Sequence, residues 1–378
     1  MSRKPIEKYP IVEKFLERVT KKPGTRSTYR SFLNRYFKEL GITDQTNYFI
    51  SGRDYVKDIE KVVIAIENIP DRTQQTMLSC VKRFMEKNEI EIKANQWDEW
   101  ITRNDIGKPQ AVTDDKIPTN NDLKTLLEYA VDIKTRALTI FLASTGLRIG
   151  EALQITISML NADLKNNHIR LSADISKTHR IRHVFYTDEC KEVLENWLKV
   201  RDKFIEGKYS KSVFARENKR VTDNRLFPFA RDNAIKTWNR LLERAGSPYN
   251  EKDSNPKLKD ARYKFHIHTI RKHWFSSLLN SGMKENFVNY IGGHESLLKS
   301  LYSDLEYQQE LLKKNYDEHS NSLLIFESQP DLTGVNKQIE ALQKDKEQMQ
   351  KTIEEMKAQI TELRLEKLEK LNGIKKKA

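Results

Sequence analysis

One stretch constrains this chain more than any other: residues 265–302, FHIHTIRKHWFSSLLNSGMKENFVNYIGGHESLLKSLY. Ile270, Trp274 and Leu278 recur every four residues, which is the spacing of a buried helical stripe. His268 and Arg271 stand three apart beside that stripe, so on a helix they share a face and can point into one pocket. Gly282 sits where a left-handed residue closes a helix. A second short helical pattern, Phe287, Val288 and Ile291, then runs into Gly292-Gly293-His294. A single His or Arg at a helix start is more often a cap or a surface group than a catalyst. The reading therefore turns on what lies upstream.

Upstream lies Ala143-Ser144-Thr145-Gly146-Leu147-Arg148-Ile149-Gly150-Glu151-Ala152-Leu153. An apolar helix (Ala137, Leu138, Ile140, Phe141, Leu142) stops at Thr145-Gly146, and a new one starts with Arg148 in its first turn. Backbone N–H groups and the dipole at a helix start both favour an anion. Glu151, three residues on, can hold Arg148 or a neighbouring backbone N–H in place.

The pattern then changes to short alternating runs: residues 155–159, 168–171 and 183–187, with turn residues Asn161, Asp163, Asn166 and Asn167 between the first two. The second and third runs flank Lys177, His179, Arg180 and Arg182. A hairpin tip so rich in cations reaches toward phosphate, or guards a sheet edge against aggregation. Helical patterns resume near residues 189–206 and 232–245.

Residues 1 to about 110 read as helical, with apolar periods at Ile11, Phe15 and Val19, and at Tyr29, Phe32, Leu33, Tyr36 and Phe37. Arg26, Arg30 and Arg35 lie on or beside the outward face of the second helix, and Lys82 and Arg83 follow a polar helix start. Such faces sit on a duplex backbone, or are simply a charged surface. Residues 103–120 lose the period, hold two prolines and a glycine, and read as an exposed linker. Lysine and arginine exceed aspartate and glutamate, 67 to 54, and no single basic tail explains the net charge of +13. An anionic partner and a lysine-rich solvated surface both fit that excess.

The two cysteines, Cys80 and Cys190, are far apart and lack metal-ligand spacing, which suits a reduced, cytoplasmic setting. No apolar run approaches the ~18 residues of a membrane span. Beyond Pro330, Val335, Ile339, Leu342, Met349, Ile353, Met356, Ile360 and Leu363 fall on alternating spacings of four and three, interrupted by Lys346 and Lys367. That is a heptad pattern for a coiled coil, or a single charged helix.

Taken in order, TGLRxGE at 145–151, Lys177 in a hairpin, HxxR at His268 and Arg271, Gly293-His294 and a following tyrosine resemble the tyrosine recombinase family. These are phage-type integrases with a lambda-integrase-like catalytic domain. With the tail added, the resemblance implies an α+β chain that is mainly α-helical. A helical, SAM-like core-binding domain would occupy residues 1–110, a linker 111–120, a catalytic domain with a small antiparallel sheet 121–328, and a coiled-coil helix 332–374.

It further implies a site-specific DNA strand-transferase, DNA-associated in the cytoplasm. The enzyme would cut and rejoin double-stranded DNA through a 3′-phosphotyrosine and a Holliday junction, with no metal, ATP or other cofactor. It would act as a homo-oligomer, a tetramer on two sites, with the tail assembling subunits or recruiting a partner. Arg148 and Arg271 would clamp the non-bridging phosphate oxygens and Lys177 would protonate the leaving 5′-oxygen. His268 would act on the nucleophile's proton or a phosphate oxygen, His294 would bind the phosphate or place the tyrosine, and Glu151 would support them.

Tyr302, eight residues after His294, is the expected nucleophile, with Tyr316 and Tyr307 as alternates. Arg26, Arg30, Arg35, Lys82, Arg83, Arg180 and Arg182 are the expected DNA contacts. Two features depart from the family: its tyrosine more often follows at about nine residues, and a larger apolar residue commonly stands where this chain has Gly293. Relaxation of the type IB topoisomerase kind, a transposase with the same chemistry, and a DNA-binding protein that does not cleave remain as alternatives.

Overall fold

The computed structural model describes residues 10–45, 47–50, 52–103, 113–210, 223–254, 262–294, 305–326 and 348–349. The chain divides into two compact units, Met1–Lys116 with Leu242–His266, and Ile117–Leu241 with Ile267 onward. Among the described residues no helix is long and apolar enough to cross a membrane. Cys80 and Cys190 are both buried and unpaired.

In the first unit, helices α1 (Pro10–Val19), α2 (Pro23–Glu39), α3 (Tyr55–Ala65), α4 (Asp71–Lys87) and α5 (Ala94–Arg103) follow one another. Proline opens α2, where its missing N–H costs nothing, and Asp54 caps α3 by accepting from the Lys57 N–H at 3.0 Å. Phe15, Leu33, Phe37, Met77, Val81 and Phe84 form the apolar core. One polar thread crosses it: the Tyr36 and Tyr48 hydroxyls meet at 2.7 Å, and the Tyr48 hydroxyl donates to Asp58 at 3.0 Å. A buried hydroxyl pair is tolerable only because it ends on a carboxylate.

Leu242–His266 belongs with this unit because it is stitched to residues 114–116. The Lys116 N–H donates to the Lys264 carbonyl at 3.1 Å, and the Asp114 N–H to Asp253 at 3.0 Å. Ion pairs join Arg262 to Asp115 at 2.7 Å, Lys264 to Asp114 at 2.8 Å and Lys116 to Glu251 at 3.0 Å. The end of the stretch read as an exposed linker is therefore a pinned strap, since its acidic residues find basic partners far along the sequence. The rest of that stretch, 104–112, lies outside the described residues.

The second unit is built around α7 (Ile133–Thr145), whose residues from Ala137 to Thr145 are all buried. It follows α6 (Asn120–Glu128), which starts at a capping box: the Asp122 N–H donates to Thr119 Oγ1 at 3.1 Å, and the Thr119 N–H to Asp122 Oδ2 at 2.8 Å. Then come α8 (Ile149–Ala152), α9 (Ile157–Asn161), strands β1 (His168–Leu171) and β2 (Arg182–Phe185), α10 (Asp188–Ser210), α11 (Arg231–Ala245), α12 (His268–Asn280), α13 (Glu285–Gly292) and α14 (Leu305–His319). Helices α10 and α12 cover α7.

The sheet is a two-stranded antiparallel hairpin with His168 opposite Phe185 and Leu171 opposite Arg182. Phe185, Trp274, Leu278, Val288, Ile291 and Tyr316 form one continuous cluster under it. The first of the three expected strands is not one. Thr156 caps a helical turn by accepting from the Met159 N–H at 3.2 Å, and residue 156 makes only an isolated bridge to Arg225. A local hydrogen bond to the backbone outcompetes a ladder there. Of the heptad-patterned tail, only Gln348 and Met349 are among the described residues.

Candidate active site

The site grows from the break between α7 and α8. Gly146 ends α7 at φ +61°, and a Cβ there would overlap the Trp274 indole. The glycine thus serves both the left-handed turn and the close packing of α12. Trp274 returns the contact by donating from Nε1 to the Ser144 carbonyl at 2.9 Å. One turn earlier on α12, Arg271 is 4% exposed and donates to the carbonyls of Gly146 and, at 2.6 Å, Gly292. Arg271 therefore ties the end of α7 to the end of α13.

Arg148 is the N-cap residue of α8 and half-buried. Its N–H donates to Glu151 Oε2 at 3.1 Å and its Nη1 to Glu151 Oε1 at 3.2 Å. Glu151 is 2% exposed and also accepts the Lys177 N–H at 3.2 Å and Arg182 Nη2 at 2.6 Å. One carboxylate thus gathers α8, the 172–181 loop that carries Lys177, and the first residue of β2. The Lys177 side chain is exposed.

Arg182, read as a DNA contact at a hairpin tip, lies instead inside the site at 3% exposure, donating Nη1 to the Gly292 carbonyl at 2.5 Å. A cation this deep needs its charge met, and Glu151 meets it. Gly293, at φ +72°, has no room for a side chain because a Cβ would overlap the Arg182 guanidinium. That accounts for a glycine where the family commonly carries something larger.

His294 follows directly, exposed and stacked on Phe275 with ring centroids 4.6 Å apart. His268 is exposed at the first residue of α12, one turn before buried Arg271. The expectation that the two share a helix face holds in spacing, while their depths differ.

Two guanidiniums, from Arg148 and Arg182, therefore meet on the Glu151 carboxylate, and Arg271 joins Arg182 on the Gly292 carbonyl. Burial by itself would raise the Glu151 carboxyl, but Arg182 and the N–H groups of Lys177 and Arg148 outweigh it and hold the group below its ordinary range. Burial first, then Arg148 and Arg182, lowers Arg271 from its ordinary value. His294 is lowered by burial and then by the same three arginines. Burial leads the shifts of Arg271 and His294, and the neighbouring arginines add to both, so an anion suits the site. Among the described residues no group of three His, Cys, Asp or Glu could hold a metal ion.

Of the tyrosines, Tyr302 lies outside the described residues. Tyr307 belongs to α14, and its side chain also lies outside them. Tyr316 is 1% exposed, donates its hydroxyl to the Ser144 carbonyl at 2.8 Å, and is pushed well above its ordinary pKa by burial.

Among the expected DNA contacts in the first unit, Arg30 is bidentate to Glu13 at 2.5 and 2.8 Å. Arg26 lies 3.7 Å from the same carboxylate, and Arg35 pairs with Glu39 at 3.4 Å. Lys82 and Arg83 are exposed, with the Lys82 ammonium 5.9 Å above the Trp97 ring centre, and Arg180 is exposed on the 172–181 loop of the second unit. Sequence reasoning missed the inward role of Arg182. All four residues of β2 are buried, so no alternation marks one as facing solvent; the usable signal was the need of a buried Glu151 for a second cation.

Residues 118–300 match the family model described as the phage integrase family. No curated protein sequence matches the chain. Among solved structures, the lambda integrase tetramer bound to a Holliday junction superposes with a TM-score of 0.51 at 14% identity, covering 79% of each chain. The Tn1549 transposon integrase in complex with transposon right end DNA gives 0.51 at 16% identity, covering 80% of this chain and 96% of that one. The same integrase with circular intermediate DNA gives 0.50 at 15% identity, covering 80% and 97%. These likenesses establish a shared fold, and the family match spans the break at Gly146, the hairpin and the Gly292-Gly293-His294 end. Residues 118–300 thus form a phage integrase domain, that of the DNA strand-transferring tyrosine recombinases.

Proposed function

We propose that this chain is a site-specific DNA recombinase that cuts and rejoins duplex DNA one strand at a time through a 3′-phosphotyrosine and a four-way junction. The observation that carries the reading is the cluster of Arg148 and Arg182 on the Glu151 carboxylate with Arg271 and Arg182 on the Gly292 carbonyl, beside Lys177 and His294. In the pentavalent transition state the scissile phosphate gains negative charge on its non-bridging oxygens, and forked guanidiniums preorganised in a buried site stabilise it as it develops. Arg148 and Arg271 take that role.

A tyrosine oxygen attacks phosphorus, the P–O bond to the 5′-oxygen breaks, and Lys177 supplies the proton that the departing oxygen needs. Reversal by a 5′-hydroxyl of another strand restores a phosphodiester and the tyrosine. One ester is exchanged for another at each step, so no external energy source is needed. His268, exposed at the start of α12, handles the proton of the nucleophile or a phosphate oxygen, and His294 hydrogen-bonds the phosphate or places the tyrosine.

Tyr302 is the proposed nucleophile. It lies three residues before Leu305, the start of α14, whereas Tyr316 is locked in the core. The solved relatives hold DNA or a Holliday junction, which supports duplex DNA as substrate and an oligomer, a tetramer on two sites, as the working form.

Arg148→Ala and Arg271→Ala test the reading. Each should bind duplex DNA yet form covalent protein–DNA adduct at least ~10²-fold more slowly than the wild type, the scale of losing one preorganised donor. Unchanged adduct formation in either variant would contradict the assignment.

A further inference from the structure

We infer that Arg182 is a positioning residue that holds the general acid and the phosphate-binding groups in register, rather than a contact to DNA. The inference rests on the strand-exchange reading for its consequence and on geometry for its substance. Arg182 is 3% exposed. Its Nη2 binds Glu151 Oε2 at 2.6 Å, its Nη1 binds the Gly292 carbonyl at 2.5 Å, and its Nε is buried without a hydrogen-bond partner among the described residues. A guanidinium this deeply buried, with both terminal nitrogens tied to protein acceptors, is not presented to a phosphate at the surface.

What it joins is functional. Through Glu151 it reaches the N–H of Lys177 and both the N–H and the side chain of Arg148. Through Gly292 it fixes the turn that presents His294, two residues on. Gly293 completes the fit, because any side chain there would displace the guanidinium.

The planar fork of arginine meets two acceptors in different directions at once, and a lysine ammonium cannot hold that pairing in the same geometry. Without Arg182, Glu151 keeps only Arg148 as a cationic partner. A buried carboxylate left short of charge takes up a proton or turns toward water. Either response releases the Lys177 N–H and loosens the loop that carries the acid. A shift of about 1 Å in such a group costs about 10²-fold in rate.

The test uses the full chain with Arg182→Gln, Arg182→Lys, Glu151→Gln and the Arg182→Gln/Glu151→Gln double variant. Three quantities are measured: affinity for a random-sequence duplex at several salt concentrations, the rate of covalent adduct formation at saturating protein, and amide hydrogen exchange across residues 172–181 and 292–294. Arg182→Gln should keep its Kd within about twofold and its salt slope unchanged, lose about 10²-fold in adduct rate, and exchange at least about 10-fold faster in both segments. Arg182→Lys should lie between it and the wild type. The double variant should be no slower than about threefold below the worse single, because the two side chains act as one unit.

A salt slope smaller by about one phosphate contact with weakened binding would make Arg182 a DNA contact and overturn the inference. Unchanged exchange in both segments would overturn it as well. If the wild type itself forms no adduct, the strand-exchange reading fails, and the exchange and salt-slope arms still decide whether Arg182 positions the loop. Should Arg182→Gln prove too unstable to purify, the same three measurements on Arg182→Lys decide the case.

Discussion

Gly293 leaves no space for a side chain. At φ +72° an alanine pays about 1–2 kcal/mol for the left-handed backbone and must also push the Arg182 guanidinium aside. Gly293→Ala should therefore lower stability by at least about 2 kcal/mol in denaturant titration and depress adduct formation along with it. Tyr316 offers the opposite case. Tyr316→Phe removes a hydroxyl donating to the Ser144 carbonyl, which should cost about 1 kcal/mol, and should leave the adduct assay intact. Loss of all adduct in that variant would move the nucleophile.

Much of this scale was legible in the sequence. Gly146 followed by Arg148, with Glu151 one turn on, announces a helix break with a charged start, and the contacts of Glu151 with the Arg148 N–H and guanidinium are the ones that its spacing allows. Arg182 was not legible. It stands two residues from Arg180 in a run of cations, and only the start of β2 at Arg182, opposite Leu171, separates the buried arginine from the exposed one on the preceding loop.

Among the elements, the β1–β2 hairpin carries a pH response of its own. His168 Nε2 and His183 Nδ1 lie 2.9 Å apart, and His168 Nδ1 lies 2.8 Å from Asp163, which also accepts from Gln309 Nε2 of α14 at 3.0 Å. Burial, then His168 and Arg170, pushes His183 down to about 4. Burial also lowers His168, against the pull of Asp163 and with Lys313 and Arg170 adding to the fall.

A histidine depressed in the folded state binds its proton more readily when unfolded. Its contribution to stability is thus complete above the unfolded value of about 6.5 and is lost as pH falls toward 4. Thermal unfolding between pH 6.5 and 4 should show a loss on the order of 2–3 kcal/mol, partly removed in His183→Asn. A flat profile would mean that the pair is not buried as described. The element that sequence patterning misjudged, residues 155–159, failed for a local reason: alternation marked a strand, but the Thr156 side chain offered the backbone a nearer partner.

Across the whole molecule, the net charge of +13 and a cluster of three arginines, two of them buried, point to a polyanion. Duplex affinity should weaken at least about tenfold between 50 and 200 mM salt, as counterion release demands. A salt-independent Kd would remove DNA as the partner. Helical content and the small sheet were readable from apolar period alone. The pairing of residues 114–116 with 251–266 was not, because those contacts join charges more than 130 positions apart and leave no trace in local pattern.

Strand exchange by this chain requires a covalent bond between it and DNA. The decisive measurement is to incubate the protein with supercoiled and nicked DNA, quench with detergent, digest, and identify by peptide mass spectrometry the residue that carries a phosphonucleotide. The modification is expected on Tyr302, absent in Tyr302→Phe and retained in Tyr307→Phe and Tyr316→Phe. DNA bound tightly with no modified peptide would contradict it and leave a binding protein in place of a recombinase.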